Sequence, residues 1–481
     1  MKKLVDIIKK YIVLISLSVP ALLAYLSMRV LLWISIIQCN ITSKNKVELK
    51  PFQNRRMVEV KSLSKEEKID FKKHRSKTYI TQLVFGSLWE LSKLAGNQQI
   101  VPLISDDVLY RVLHNGVFSY GLSRSENGHS DVEWTMHFDI DSYNLFQGFY
   151  WDVTEIKLHE NQTLSITDRM GRLHKPGSKN WNLAKAHAQA QLGFFGPGLT
   201  HDNVHFVFPS IMAAQIRLIL PKSSVLRQLV EPHTRFTQYI NHKALFEGQS
   251  TSNTGSLVDK LFRPWLSFPI NNNDFINGLQ KRCEVFYYDK QQLAPDMEQE
   301  LPYHIFLASY RRVIREYVTQ LAPLLKDDFD ILLPHVAIHL PAIKQYEMID
   351  VVTILLWKSA VVHFCDHYTY LEQFAYKYGC IAMRKPLVGY VENPNTISEV
   401  MPYFHPEDVY RSRCFFNCFV RYNANPDLDL GLSSTRYEFT SDHAKQCAET
   451  FQRNLGDLDN QLQKSGKAMV PLDKIIRSVC F

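Results

Sequence analysis

The chain has 481 residues, 46% hydrophobic and 21% charged, with a formal net charge of +7. That composition is globular, without low-complexity tracts, and suits one large domain or two to three average ones. The charge is modest and spread out, with no arginine-rich arm, zinc-finger spacing or stacking-aromatic pattern, so nucleic acid is not an expected partner.

Residues 1–10 carry four lysines, and residues 11–37 are almost continuously apolar. At about 1.5 Å per residue this run is long enough to cross a hydrocarbon core of about 30 Å. Lysines ahead of it place the amino terminus on the cytoplasmic side. The run is read as a membrane anchor, although Pro20 would kink it and Arg29 is costly at mid-membrane. A signal peptide cleaved near Ala21 or Ala24, leaving a secreted or periplasmic protein, is the alternative reading of residues 1–40.

Residues 41–78 are polar and charge-rich and are expected to form a solvated linker with one short helix. SLWELSKLAG then predicts a helix that stops at Gly96. Alternation and turn residues over 130–175 predict short strands. Helical spacing dominates from Trp181 to about Val230, weakens over 245–300, and returns from Leu301 to Leu325. Glu347–Phe374 reads as one long, largely buried helix, and FQRNLGDLDNQLQKSG as an amphipathic one. With no internal repeat and no clean linker after residue 80, residues 79–481 form one expected helical domain. The eight cysteines show no CxxC spacing or regular framework and read as scattered, mostly buried thiols.

Two histidine pairs stand out. His201/His205 and His363/His367 are each four apart, which puts both imidazoles of a pair on one helix face. The second pair lies in a helix apolar on nearly every side, where unpartnered imidazoles are costly to bury. Together they suggest a four-imidazole metal site. A third pair, His335/His339, is bracketed by Pro334 and Pro341 and is expected in extended or loop structure. HDNVH is close to the HExxH of zinc proteases, but Asp202 is shorter than the required Glu, which disfavours a hydrolase.

Several blocks resemble lipoxygenases. WNLAKAH at 181–187, LPKSSVLRQLVEPHTRFTQYIN at 220–241, LWKSAVVHFCDHY at 356–368, AMRKP at 382–386, DRMGRLHKP at 168–176 and the terminal IIRSVCF follow that family's order. The resemblance covers about residues 80–481. The hydrophobic segment stands where the family carries an amino-terminal β-barrel lipid-binding domain. It implies a mainly α-helical catalytic domain with a few short strands. It also implies one non-haem iron, held by His201, His205, His363, His367 and the Phe481 carboxylate. The implied reaction adds O2 to polyunsaturated fatty acids, or to their phospholipid esters, to give hydroperoxides, in a monomer close to a membrane. Three positions depart from the family. Its first iron histidine falls on Gly196, Tyr239 stands where it has Ala or Gly beside the oxygen path, and Tyr370 replaces a glutamine linking the iron ligands to the substrate cavity. These departures leave two alternatives, a catalytically silent lipid-binding protein and a lipid hydroperoxide isomerase.

Overall fold

The structure, a computed structural model, describes residues 22–38, 48–52, 55–62, 103–124, 132–140, 150–196, 202–205, 208–238, 301–379 and 431–475, with a few isolated positions between them. The predicted helix ending at Gly96, the weakly patterned stretch 245–300 and residues 11–21 lie outside them.

Within the apolar run, α1 spans Leu22–Gln38 and exposes Leu23, Leu31 and Trp33. Arg29 lies over the Tyr25 ring and donates to its hydroxyl at 3.0 Å, which shields the cation that the run carries. The charged segment that follows differs from the expected linker. Strands β1 (Glu48–Phe52) and β2 (Arg55–Ser62) pair as an antiparallel hairpin, with Leu49 opposite Val60 and Pro51 opposite Val58. The alternation Val58–Glu59–Val60–Lys61 supplies a strand period that the surrounding charge obscures.

Helix α2 (Asp106–His114) leads into a five-stranded antiparallel meander. Its strands are β3 (Leu122–Arg124), β4 (Val132–His137), β5 (Val153–His159), β6 (Leu164–Asp168) and β7 (Leu173–His174). Met136 pairs with Ile156, and Ile156 with Ile166, so one face is a buried aliphatic row. The β6–β7 turn closes on Asp168, whose carboxylate accepts from the backbone of Met170 and Arg172, the Arg172 guanidinium and His174. Burial pushes this carboxyl upward, but those donors outweigh it and hold it below the usual range. A lowered folded-state value stabilises the fold above the ordinary carboxylate range and is lost as pH falls through it. Asp168→Asn should therefore cost about 2 kcal/mol at neutral pH. In urea titrations the gap from wild type should close below about pH 4. A gap independent of pH would contradict this.

Helix α3 (Trp181–Gly196) lies on this sheet, buried along almost its whole length because small residues, Ala184, Ala186, Ala188 and Ala190, alternate with larger ones. Two glutamines fasten it. Gln191 makes a two-way amide contact with the backbone of Val153, and Gln189 accepts from Ile104 N and donates to Tyr378 O. Such bonds let a buried helix carry polar side chains without an unsatisfied amide.

A one-turn helix α4 (Asp202–His205) precedes α5 (Phe208–Ile219) and α6 (Val225–Val230), and a second core forms around α7 (Pro302–Ala337). Pro302 in the first turn of α7 costs no helix bond. Tyr303, Phe306, Tyr310, Ile314, Tyr317 and Leu321 then recur at helical spacing along its buried face. The helix runs past Leu325, through Pro323 and Pro334, so the expected loop at His335 is corrected to helix. Phe329, Leu332 and Val336 continue the buried stripe, and their packing outweighs a proline cost of about 3 kcal/mol. His335 faces solvent and His339 follows the helix end, so these two do not form a site.

Helix α8 (Met348–Ala375) packs beside α7. Among the described residues it is long and apolar enough to cross a membrane, but 83% of that stretch is buried inside the protein. The amphipathic helix α9 (Asp442–Lys464) begins before the predicted Phe451, where Ser441 accepts from Ala444 N and caps it. Cys365 and Cys447 are free and buried, as expected of scattered thiols.

Candidate metal centre

Helix α8 is not a uniform α-helix. Two π-helical stretches, Trp357–Val362 and His367–Ala375, flank the α-turn His363–Asp366. Wider turns of this kind re-aim side chains and recur at functional sites. Here they bring His363 and His367 against His205, delivered by α4 from the other side. The three residues are 0%, 8% and 6% exposed, respectively.

Their rings meet edge to face, and the Nε2 atoms converge. His363 Nε2 lies 3.0 Å from His205 Nε2 and 3.1 Å from His367 Nε2, and the donor atoms of all three fall within 4.8 Å of one another. A ring nitrogen holds one lone pair or one proton, so His363 Nε2 cannot make two ordinary in-plane hydrogen bonds at once. A shared cation satisfies all three lone pairs. Two nitrogens about 2.1 Å from one metal are about 3.0 Å apart at a right angle and about 3.4 Å apart at a tetrahedral angle. The observed separations are those of donors close enough to share one ion, and imidazole donors suit iron, copper, nickel or zinc. The residues present fit a metal ion.

The residue between the two α8 ligands was not singled out from the sequence. Asp366 is buried, and its Oδ1 accepts from the Tyr303 hydroxyl at 2.7 Å. Burial pushes this carboxyl up to about 8, against the lowering effects of the Tyr303 hydrogen bond and nearby Lys358. The bond joins α7 to the turn that carries His363 and His367, and so braces the ligands from behind. The available signal was an acid inside an otherwise apolar helix, HFCDHY.

Of the five residues expected at the metal, the structure brings together His205, His363 and His367. His201 and Phe481 lie outside the described residues, as does Tyr239. Gly196 is the last residue of α3. Tyr370 is buried on the second π-helical stretch, edge-on to Phe118 at 5.9 Å, and its hydroxyl donates to the Gly193 carbonyl of α3. Burial raises its phenol well above the usual value, so it stays a proton donor.

No family model and no curated protein matches the sequence. Solved structures do. A LOX deletion variant crystallised anaerobically with arachidonate aligns with a TM-score of 0.67 at 12% identity, covering 94% of this chain and 81% of that one. Coral 8R-lipoxygenase aligns at 0.64 and 11% identity, over 93% of this chain and 81% of that one. The chain has a lipoxygenase-like fold. A calcium-dependent 11R-lipoxygenase also aligns, at 0.59 and 13% identity, over 78% of this lipoxygenase-like chain and 66% of its own.

Proposed function

We propose that this lipoxygenase-like protein is a non-haem iron dioxygenase acting on polyunsaturated fatty acids or their lipid esters. The observation that carries the reading is the convergence of the buried His205, His363 and His367 Nε2 atoms inside the helical core. Iron held by His205, His363 and His367 would supply the one-electron redox chemistry that oxygenation of a polyunsaturated chain requires. The protein's own contribution is positional. The π-helical turns aim two imidazoles, Asp366 and Tyr303 fix the turn between them, and burial holds all three imidazoles away from solvent. The arachidonate bound by one structural neighbour supports a fatty acyl substrate. The exposed apolar face of α1 supports attachment beside a lipid source, with residues 11–37 as the anchor.

The test is oxygen uptake by the iron-loaded full chain in detergent, with arachidonate as substrate and conjugated-diene absorbance followed in parallel. Equal oxygen consumption and diene formation support the proposal. Iron-loaded protein that consumes no oxygen overturns it. Turnover of a lipid hydroperoxide without oxygen would then identify an isomerase, and a tightly held lipid without turnover a binding protein.

A further inference from the structure

Helix α8 changes from α to π geometry at His367, and a hydroxyl sits beside the change. Thr369, buried and two residues beyond His367, donates its hydroxyl proton to the Cys365 carbonyl at 2.9 Å. A threonine bonded back four residues competes with the backbone ladder and loosens or bends a helix at that point. Cys365 lies between the two α8 ligands, so the loosened turn is the one that carries them. The same hydroxyl accepts from the Val117 amide at 3.2 Å. Val117 opens the short 3-10 helix Val117–Gly121, and a first-turn amide has no carbonyl of its own helix to pair with. Both residues are buried, so the Thr369 oxygen supplies an acceptor away from solvent. Gly116 permits the approach, since a Cβ there would meet Thr369 Cβ at 3.2 Å and the Val112 carbonyl at 3.3 Å.

We propose that Thr369 is a positioning residue whose hydroxyl, held between the Val117 amide and the Cys365 carbonyl, fixes the α-to-π junction of α8 and so aims His367 at His205 and His363. The proposal rests on the metal reading above and adds to it a residue whose hydroxyl bonds to backbone alone. The Tyr303–Asp366 bond braces the same turn from α7, and Thr369 braces it from the segment of Val117. Braces from two separate elements leave the ligand turn one arrangement. Without the hydroxyl the Cys365 carbonyl returns to backbone donors, the junction shifts along the helix, and the His367 ring turns away from the other two. His367 is the donor such a shift moves most, because it is the first residue of the π stretch.

The test compares full-length wild type with Thr369→Val, Thr369→Ser and Gly116→Ala, all in detergent. Cobalt(II) alone is the metal probe, titrated by visible absorbance, and melting of the metal-free proteins is followed separately. Thr369→Val keeps the shape and removes the hydroxyl, and should bind cobalt about tenfold more weakly with an altered ligand-field spectrum. Thr369→Ser keeps the hydroxyl and should bind cobalt as wild type does, even where loss of the methyl lowers its melting point. Gly116→Ala forces the Val117 segment off Thr369 without altering the sequence of α8, and should weaken cobalt binding as Thr369→Val does. A lower melting point in Thr369→Val with wild-type cobalt affinity and spectrum would reduce the residue to a structural role and overturn the positioning claim. Equal weakening in Thr369→Val and Thr369→Ser would trace the effect to packing and overturn the role of the hydroxyl. Should Thr369→Val not fold, Gly116→Ala decides alone, and wild-type cobalt binding there overturns the brace. A wild type that takes up no cobalt would sink the metal reading and this role with it, whereas equal loading of wild type and Thr369→Val would sink the role alone.

Discussion

His363→Ala is expected to remove metal binding altogether while leaving the chain folded. His363 is the middle donor, its Nε2 within 3.0 Å of His205 and 3.1 Å of His367, and its loss breaks both close pairings of the cluster. The truncation empties part of a fully buried site, and a metal-free cost of about 1–3 kcal/mol follows from the cavity alone. The larger effect is on linkage. A metal at a hundredfold excess over its Kd stabilises the native state by about 2.7 kcal/mol, and that increment should vanish in the variant. Anaerobic melting with and without iron(II) reads it directly. A midpoint that still rises with iron as in wild type would contradict the assignment of His363.

Phe451→Ala should have the opposite signature, a large loss of stability with metal affinity intact. The Phe451 ring lies on Tyr317 at 4.3 Å and 7° between planes, joining α9 to the long helix α7. It is 3% exposed, in the core that holds α7, α8 and α9 together. Truncating a buried phenylalanine costs about 3–5 kcal/mol through lost transfer energy and the cavity left behind. The urea midpoint should fall with little change in slope, since the surface exposed on unfolding is nearly the same. A loss below about 1 kcal/mol would show that the interface repacks around the gap. The two substitutions together separate the site from the scaffold that carries it.

Three histidines that meet at this site were legible in the sequence, and the contacts that position them were not. His363 and His367 were legible because two imidazoles at helical spacing in an apolar run demand partners, and His205 because the same spacing recurred near Trp181. The short strands over 130–175 followed from alternation, and four strands of the five-stranded meander lie there, β3 preceding them. Two elements were obscured by stronger local signals. Pro334 argued for a loop at His335, but the buried stripe through Leu332 and Val336 carries α7 across it, an energy that only tertiary packing supplies. Charge in residues 41–78 argued for a linker, yet the hairpin Glu48–Ser62 needs only a short alternation and a partner strand. Asp366 and Tyr303 were not singled out because their bond joins residues 63 apart, a contact no local pattern reports. The same holds for Tyr370 and Gly193, which are 177 residues apart.

The most direct test of the central claim is elemental mass spectrometry of the purified full chain, wild type beside His363→Ala. The proposed function predicts close to one iron per chain in wild type and none in the variant. Wild type free of every transition metal, or equal metal in both proteins, would contradict a metal centre at His205, His363 and His367, and another metal in place of iron would contradict the iron reading.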